Sequence, residues 1–218
     1  MLKYLEDAVR NVSHPIIVEI GAARGEDTET IVRKIFDNDP ESILEYYAFE
    51  PDPRNIAVLK RSPVIDCIHL IEAAVGETNH RALFNQSSGK NPRSDCEHTL
   101  SGSLKKPVEH LQAHPWCTFE RHTEVRVIAL NDFYDLYSLP HIDFIWCDVQ
   151  GAEDLVLAGG DRALTNTHFF YTEYYENEMY EGQINVQTIH DRLPGRWRIV
   201  DRWPHDILFE NMCLPGEG

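Results

Sequence analysis

The residues best suited to chemistry begin at Val18-Glu19-Ile20-Gly21-Ala22-Ala23-Arg24-Gly25, where a β-branched run breaks into small residues. Gly21 and Gly25 permit dihedrals closed to other residues, and Ala22 and Ala23 let a ligand approach the backbone closely. The helix that must follow, with Thr28 in its first turn, adds unpaired N–H groups at its start. A third fingerprint glycine is missing, which argues against a pyrophosphate-bearing dinucleotide. The next apolar run closes on Glu50-Pro51, and an acid there accepts hydrogen bonds from ribose hydroxyls. Glu19 adds a negative charge near the loop, which suits a sulfonium or ammonium group better than a phosphate. The plain alternative is that the glycines only end a strand and Glu50 only caps a helix. The combination of loop and acid favours a nucleoside-bearing ligand.

A second set of candidates lies at the ends of later strands. In Rossmann-like sheets ligands gather at the carboxyl ends of strands, which brings Gly21, Glu50, Ala73, Ala74, Asp148 and Glu173 to one edge. Asp148 and Glu173 are candidate catalytic carboxylates for drawing a proton from a nucleophile, and His205 is a third candidate base. Asp148 equally fits a helix N-cap, and Glu173 a solvated edge. The two carboxylates also match the oxygen ligands of a divalent cation, but two acids alone do not predict a metal. His110, His114 and His122 lack a metal-ligand pattern beyond the spacing of the first two. Tyr171, Tyr174, Tyr175 and Tyr180 could supply stacking surface for an acceptor, with Tyr171 committed in part to a buried strand.

Such groups need a frame, and the hydrophobic pattern supplies one. Strands are expected at Ile16–Ile20, Tyr46–Glu50, Cys67–Ile71, His141–Cys147 and Phe169–Glu173. Helical stretches alternate with them, which reads as βαβ units and a parallel sheet. Ala82–Phe84 reads as an added hairpin strand, Glu124–Leu130 as a further strand, and Trp197–Asp201 with Ile207–Glu210 as a closing hairpin. Between them, residues 86–122 are rich in Ser, Gly, Pro, His and Asn, and read as an irregular lid or acceptor-binding insertion. Within it, Lys105-Lys106 reads as a solvated loop.

Composition narrows the partners. The 218 residues fit one α/β domain, and 36 acidic against 20 basic side chains give a formal charge of -16. That charge disfavours nucleic-acid partners, and no apolar run is long enough to span a bilayer. Five cysteines without a C-x-x-C pair indicate neither a disulfide framework nor zinc, and Cys67 and Cys147 read as small core residues. The N-terminal stretch lacks the apolar segment of a secretory signal, so the cytoplasm is the expected location. A homodimer is left open.

Three segments carry a family resemblance. Glu19-x-Gly21-x-x-x-Gly25, Phe49-Glu50-Pro51-Asp52-Pro53 and Ile142 to Glu153, with Ser101-Gly102-Ser103-Leu104 ahead of the last, resemble the FkbM family of class I methyltransferases. The resemblance covers about Val18 to Gly160, and the length of the chain fits a single domain over residues 1–218. Its fold would be a Rossmann-like, mostly parallel seven-stranded sheet with helices on both faces and an antiparallel C-terminal hairpin. The resemblance implies S-adenosylmethionine as methyl donor, S-adenosylhomocysteine as product, and O-methylation of a small-molecule hydroxyl, such as that of a sugar or natural product. Cofactor contacts are expected from Glu19, Gly21, Ala22, Ala23, Gly25, Thr28, Glu50, Pro51, Ala73, Ala74 and Asp148. Two departures stand out: Trp146 occupies the usual lysine position and Gln150 replaces the usual glutamate. They keep a noncatalytic cofactor-binding module as the alternative, ahead of an NAD-dependent oxidoreductase.

Overall fold

The computed structural model describes residues 2–10, 12–92 and 96–214; the remainder of the chain, including residues 93–95 of the predicted insertion, lies outside the described residues. The chain enters through helix α1 (Leu2–Val9), which buries Leu5. Strand β1 (Ile16–Ile20) follows and is buried throughout. After the glycine loop comes α2 (Glu26–Asn38), whose Thr28, Ile31, Val32 and Ile35 form one buried face at helical spacing. Strand β2 (Glu45–Phe49) leads into α3 (Pro53–Leu59), where Asp52 accepts from the Arg54 N–H and Pro53 opens the helix.

Strand β3 (His69–Ile71) is shorter than expected, because Ile65–Cys67 winds into a 3-10 turn. Cys67 is therefore exposed and is not a core residue, whereas Cys147 is buried. Beyond β4 (Ala74–Gly76), β5 (His80–Gly89) and β6 (Cys117–Ala129) form a long antiparallel pair, with a short helix α4 (His110–Ala113) between them. The predicted irregular insertion is thus smaller than residues 86–122. Both its ends are strand, leaving an arch whose described residues are 90–92 and 96–116.

The remaining elements are α5 (Leu130–Leu136), β7 (Ile142–Cys147), α6 (Glu153–Ala158), α7 (Asp161–Thr165), β8 (Thr167–Glu173), α8 (Val186–Arg192), β9 (Trp197–Arg202) and β10 (Asp206–Asn211). The main sheet runs in the order β3-β2-β1-β7-β8-β10-β9. Its first five strands pair in parallel, and β10 inserts antiparallel between β8 and β9. This is the expected Rossmann-like sheet with its closing hairpin. A smaller sheet, β4-β6-β5, stands beside it.

Two apolar clusters cover the main sheet. One joins Val18, Phe49, Ile145 and Phe170 to Phe133, Val156 and Ile189 from α5, α6 and α8. The other joins Ile17, Tyr46, Phe144 and Leu208 to Leu5, Ile31 and Leu59 from α1, α2 and α3. Alternation along each strand sends side chains to both layers, so burial on both faces follows. The chain runs outward from β1 to β3 and then returns to place β7 against the other side of β1. That reversal opens a crevice at the carboxyl ends of β1 and β7, where α/β sheets hold ligands. Among the described residues, no helix is long and apolar enough to cross a membrane.

Candidate functional site

Two adjoining cavities occupy that crevice, of about 380 and 720 Å³. The first is a largely apolar slot bounded by Pro51, Ala73, Ala74, Phe84, Leu104 and Ala152. The second is polar, with Ala22, Ala23, Asp27, Glu50, Asn55 and Gln150 in its wall. Gly21, Gly102 and Asp148 border both.

The glycine loop is shaped by contacts that tolerate no side chain. Gly21 has φ +96°, and a Cβ there would fall 1.8 Å from the carbonyl oxygen of Asp148. The closeness follows from strand pairing, since the Asp148 N–H donates to the Ile20 carbonyl at 2.9 Å. Ala23 also takes a left-handed conformation, with φ 49°. Its N–H donates to Glu50 Oε2 at 2.8 Å, so a loop donor that a phosphate would need is already engaged.

Glu50 reaches the crevice from the end of β2, only 4 % exposed. Its Oε1 accepts from the Asp52 N–H at 2.8 Å and from the Asn55 amide at 3.3 Å. Burial pushes its pKa up to about 8, against those stabilising donors. Additional hydroxyl donors from a ligand would draw this carboxyl toward its ionised form.

Several predicted cofactor residues lie behind the loop. The Glu19 carboxylate accepts from Thr28 Oγ1 at 2.6 Å and from the Tyr46 hydroxyl at 3.0 Å. All three side chains are buried, and burial pushes the Glu19 pKa up to about 7. Gly25, at φ +89°, starts α2 against Leu59, whose Cδ1 would lie 2.4 Å from an added Cβ. Glu19, Gly25 and Thr28 therefore hold the loop's shape, while Gly21, Ala22, Ala23, Glu50, Pro51, Ala73, Ala74 and Asp148 border the crevice.

Across the crevice, Asp148 and Glu173 are brought together by a residue read from sequence only as a lost acid. The Gln150 Nε2 donates to Asp148 Oδ1 at 2.7 Å and to Glu173 Oε2 at 2.8 Å. The Tyr175 hydroxyl donates to Glu173 Oε1 at 2.8 Å. Both carboxyl groups are half-buried, and burial raises both pKa values, with Asp148 further raising that of Glu173. His205 stands outside this pair: exposed at the hairpin turn, its ring stacks on Tyr175 with centroids 5.0 Å apart. Trp146 turns to the opposite layer and packs on Tyr171, centroids 4.6 Å apart. Among the described residues, no group of three or more His, Cys, Asp or Glu side chains is placed to hold a metal ion.

The arch forms the roof, and polar contacts pin it. Thr99 exchanges hydrogen bonds with Asn55, at 3.1 Å from the amide to its carbonyl and 2.5 Å from its hydroxyl to Asn55 Oδ1. Arg24 donates to Thr99 Oγ1 at 3.0 Å and to the Glu97 carbonyl. Ser103 pairs with Asn85 of β5, and the Tyr180 hydroxyl lies 2.8 Å from the Ser101 carbonyl. Lys105 is not solvated as expected: it reaches Asp154 at 2.7 Å and the Gly182 carbonyl at 2.8 Å. Gly102 admits the arch against the Phe84 ring, which an added Cβ would meet at 2.6 Å.

Sequence reasoning missed Asn55, Phe84 and Gln150 as parts of this site, and read Tyr180 as stacking surface and not as the hydrogen-bond partner of Gln150 and Ser101. Only Gln150 carried a signal, its place inside the Asp148 to Glu153 segment.

Comparison with known proteins bears on the family and the fold. A family model described as the Methyltransferase FkbM domain matches residues 19–202. The 2-O-methyltransferase NoeI of Sinorhizobium fredii (strain NBRC 101917 / NGR234) is 37% identical over 205 residues, spanning 92% of this chain and 81% of that protein. The crystal structure of methyltransferase FkbM from Methylobacillus flagellatus KT superposes with a TM-score of 0.53 at 16% identity. That match covers 91% of this chain and 44% of the other, so the chain spans less than half of that protein and the likeness concerns the fold alone. From the family match over residues 19–202 and the identity to NoeI across nearly the whole chain, this protein belongs to the FkbM methyltransferase family.

Proposed function

We propose that this methyltransferase uses S-adenosylmethionine to methylate a hydroxyl of a small molecule, with a sugar as the leading acceptor class. The observation that carries the reading is the crevice itself: an apolar slot adjoins a polar cavity whose wall holds the buried Glu50 carboxyl on one side and Asp148 of the Gln150-bridged pair on the other. The donor set fits the nucleoside. The slot walled by Pro51, Ala73, Ala74, Phe84 and Leu104 suits a flat base, and Glu50, in the wall of the adjoining polar cavity, offers an acceptor for ribose hydroxyls. Asp148 and Asp27 supply negative charge on the polar side. NoeI is named as a 2-O-methyltransferase, which favours oxygen as the nucleophile.

When bound, the donor supplies a methyl group on a cationic sulfur, which leaves with the bond's electron pair as a neutral thioether. The protein's part is to orient and to take a proton. The paired carboxylates accept the hydrogen of the attacking hydroxyl, and the pinned arch limits water in the crevice. Tyr175, stacked on His205 beside Glu173, offers a face to the acceptor. A small-molecule acceptor in the cytoplasm belongs to this same reading.

Calorimetric titration with S-adenosylmethionine and S-adenosylhomocysteine tests it, comparing wild type with Glu50→Ala. Both ligands are expected to bind wild type, and the variant to bind roughly 10- to 100-fold more weakly through loss of a charged acceptor. Binding of NAD with neither adenosyl ligand would overturn the reading.

A further inference from the structure

One amide side chain governs the carboxylate pair. The Gln150 Nε2 carries two hydrogens, and one is aimed at each acid. The two acids set the amide's orientation, and its Oε1 lies 3.1 Å from the Tyr180 hydroxyl, whose single hydrogen is shared with the Ser101 carbonyl at 2.8 Å. Tyr180 is 1 % exposed and packs over Gly151, where an added Cβ would meet its ring at 2.8 Å. Backbone geometry sets the same direction: Gln150 has φ 53° and Gly151 φ 88°, two left-handed residues that fold the turn back over the end of β7. The turn, the tyrosine and both acids therefore agree on one orientation.

The charged surroundings are mostly acidic. Asp27 from α2, Asp206 from β10, Glu153 from α6 and Glu19 on β1 act on the pair or feel it. The Tyr171, Tyr175 and Tyr180 phenols complete the shell, and the Lys105 cation acts on Glu153 beside it. Two carboxylates bridged by one nitrogen in such a place hold one proton between them more readily than two full charges.

We propose that Gln150 is a positioning residue that makes Asp148 and Glu173 a single proton-sharing pair, and that a sulfonium donor entering the crevice drives the shared proton to solvent. The proposal rests on the donor reading above. The balance is simple: the pair passes from one negative charge to two, the ligand brings one positive charge, and the buffer takes the proton. S-adenosylhomocysteine has a neutral sulfur and gives no such drive.

The experiment is calorimetry of the full chain with each ligand, in two buffers of different ionisation enthalpy, between about pH 6 and 9. Wild type is expected to release close to one more proton with S-adenosylmethionine than with S-adenosylhomocysteine. The affinity ratio should then shift toward the sulfonium by up to about tenfold per pH unit until the pair has ionised. Gln150→Glu and Gln150→Leu remove the bridging donors and should move that pH region upward by about one unit or more. Tyr180→Phe, which leaves both amide donors in place and gives up the hydroxyl's contacts to Gln150 and to the Ser101 carbonyl, should move it less. Equal proton release for the two ligands in wild type would overturn the proposal and leave the donor reading intact. So would one pH dependence shared by wild type and both Gln150 variants. Failure of both ligands to bind would overturn the donor reading itself, and the proposal with it. The wild-type comparison needs no variant to fold.

Discussion

The two walls of the crevice satisfy their acids in opposite ways. On the β1–β2 side, Glu50 takes its donors from Ala23, Asp52 and Asn55, the last two only two and five residues away. On the β7–β8 side, Asp148 and Glu173 depend on Gln150, and Gln150 on Tyr180, thirty residues further along. The first wall is built from turns and a helix start that a short segment can specify. The second exists only once β7, β8, the tyrosines and the arch have been assembled. The walls meet at Gly21, which touches the Asp148 backbone while its loop leads to Glu50.

Asp148→Asn should break the second wall alone. Turnover is expected to fall roughly 10²- to 10⁴-fold with loss of the proton acceptor, while S-adenosylhomocysteine binding and thermal stability stay close to wild type. Steady-state kinetics on a methylated acceptor, with binding measured in parallel, checks this; a matching loss of S-adenosylhomocysteine affinity would deny the walls their separate roles.

Gly21→Ala should damage both walls together. A left-handed backbone and a contact 1.8 Å from the Asp148 carbonyl leave no room for a methyl group. Strain and overpacking together are expected to cost roughly 3–5 kcal/mol. Denaturant unfolding measures it, and a change below about 1 kcal/mol would mean the loop can relax independently of β7.

The smallest effect distinguishes the first wall by pH. Glu19 and Glu50 have pKa values pushed up to about 7 and about 8, above the ordinary glutamate value of about 4.3. The fold therefore favours their protonated forms. The stability they contribute is fully present below about pH 4 and is lost as pH rises through 7 to 8. Glu50→Gln removes one of the two groups, so its unfolding free energy should fall less between about pH 6 and 9, by roughly 2–3 kcal/mol. Parallel slopes for variant and wild type would show that Glu50 is already ionised in the free protein.

Much of this molecule was legible from local signals. The continuous apolar runs marked β1, β2, β7 and β8, and the helical spacing of Thr28, Ile31, Val32 and Ile35 marked α2. Gly21, Glu50 and Asp148 were recognisable because a strand end, a small-residue turn and an acid occur within a few positions. The ends of β5 and β6 were not. Asn85, Gln86 and Ser87 are buried polar strand residues, and they look like loop until Ser103, Asp52 and Ser101 are present to satisfy them.

By itself the sequence determined which strands form, where the chain turns, and which acids stand at strand ends, because periodicity and turn chemistry act over a few residues. Tertiary structure alone decided that Glu19 and Thr28 would support the loop from behind, that Lys105 would tie the arch down, and that Gln150 would join Asp148 to Glu173. Those outcomes depend on burial and on partners from distant segments, and neither is fixed until the elements have packed.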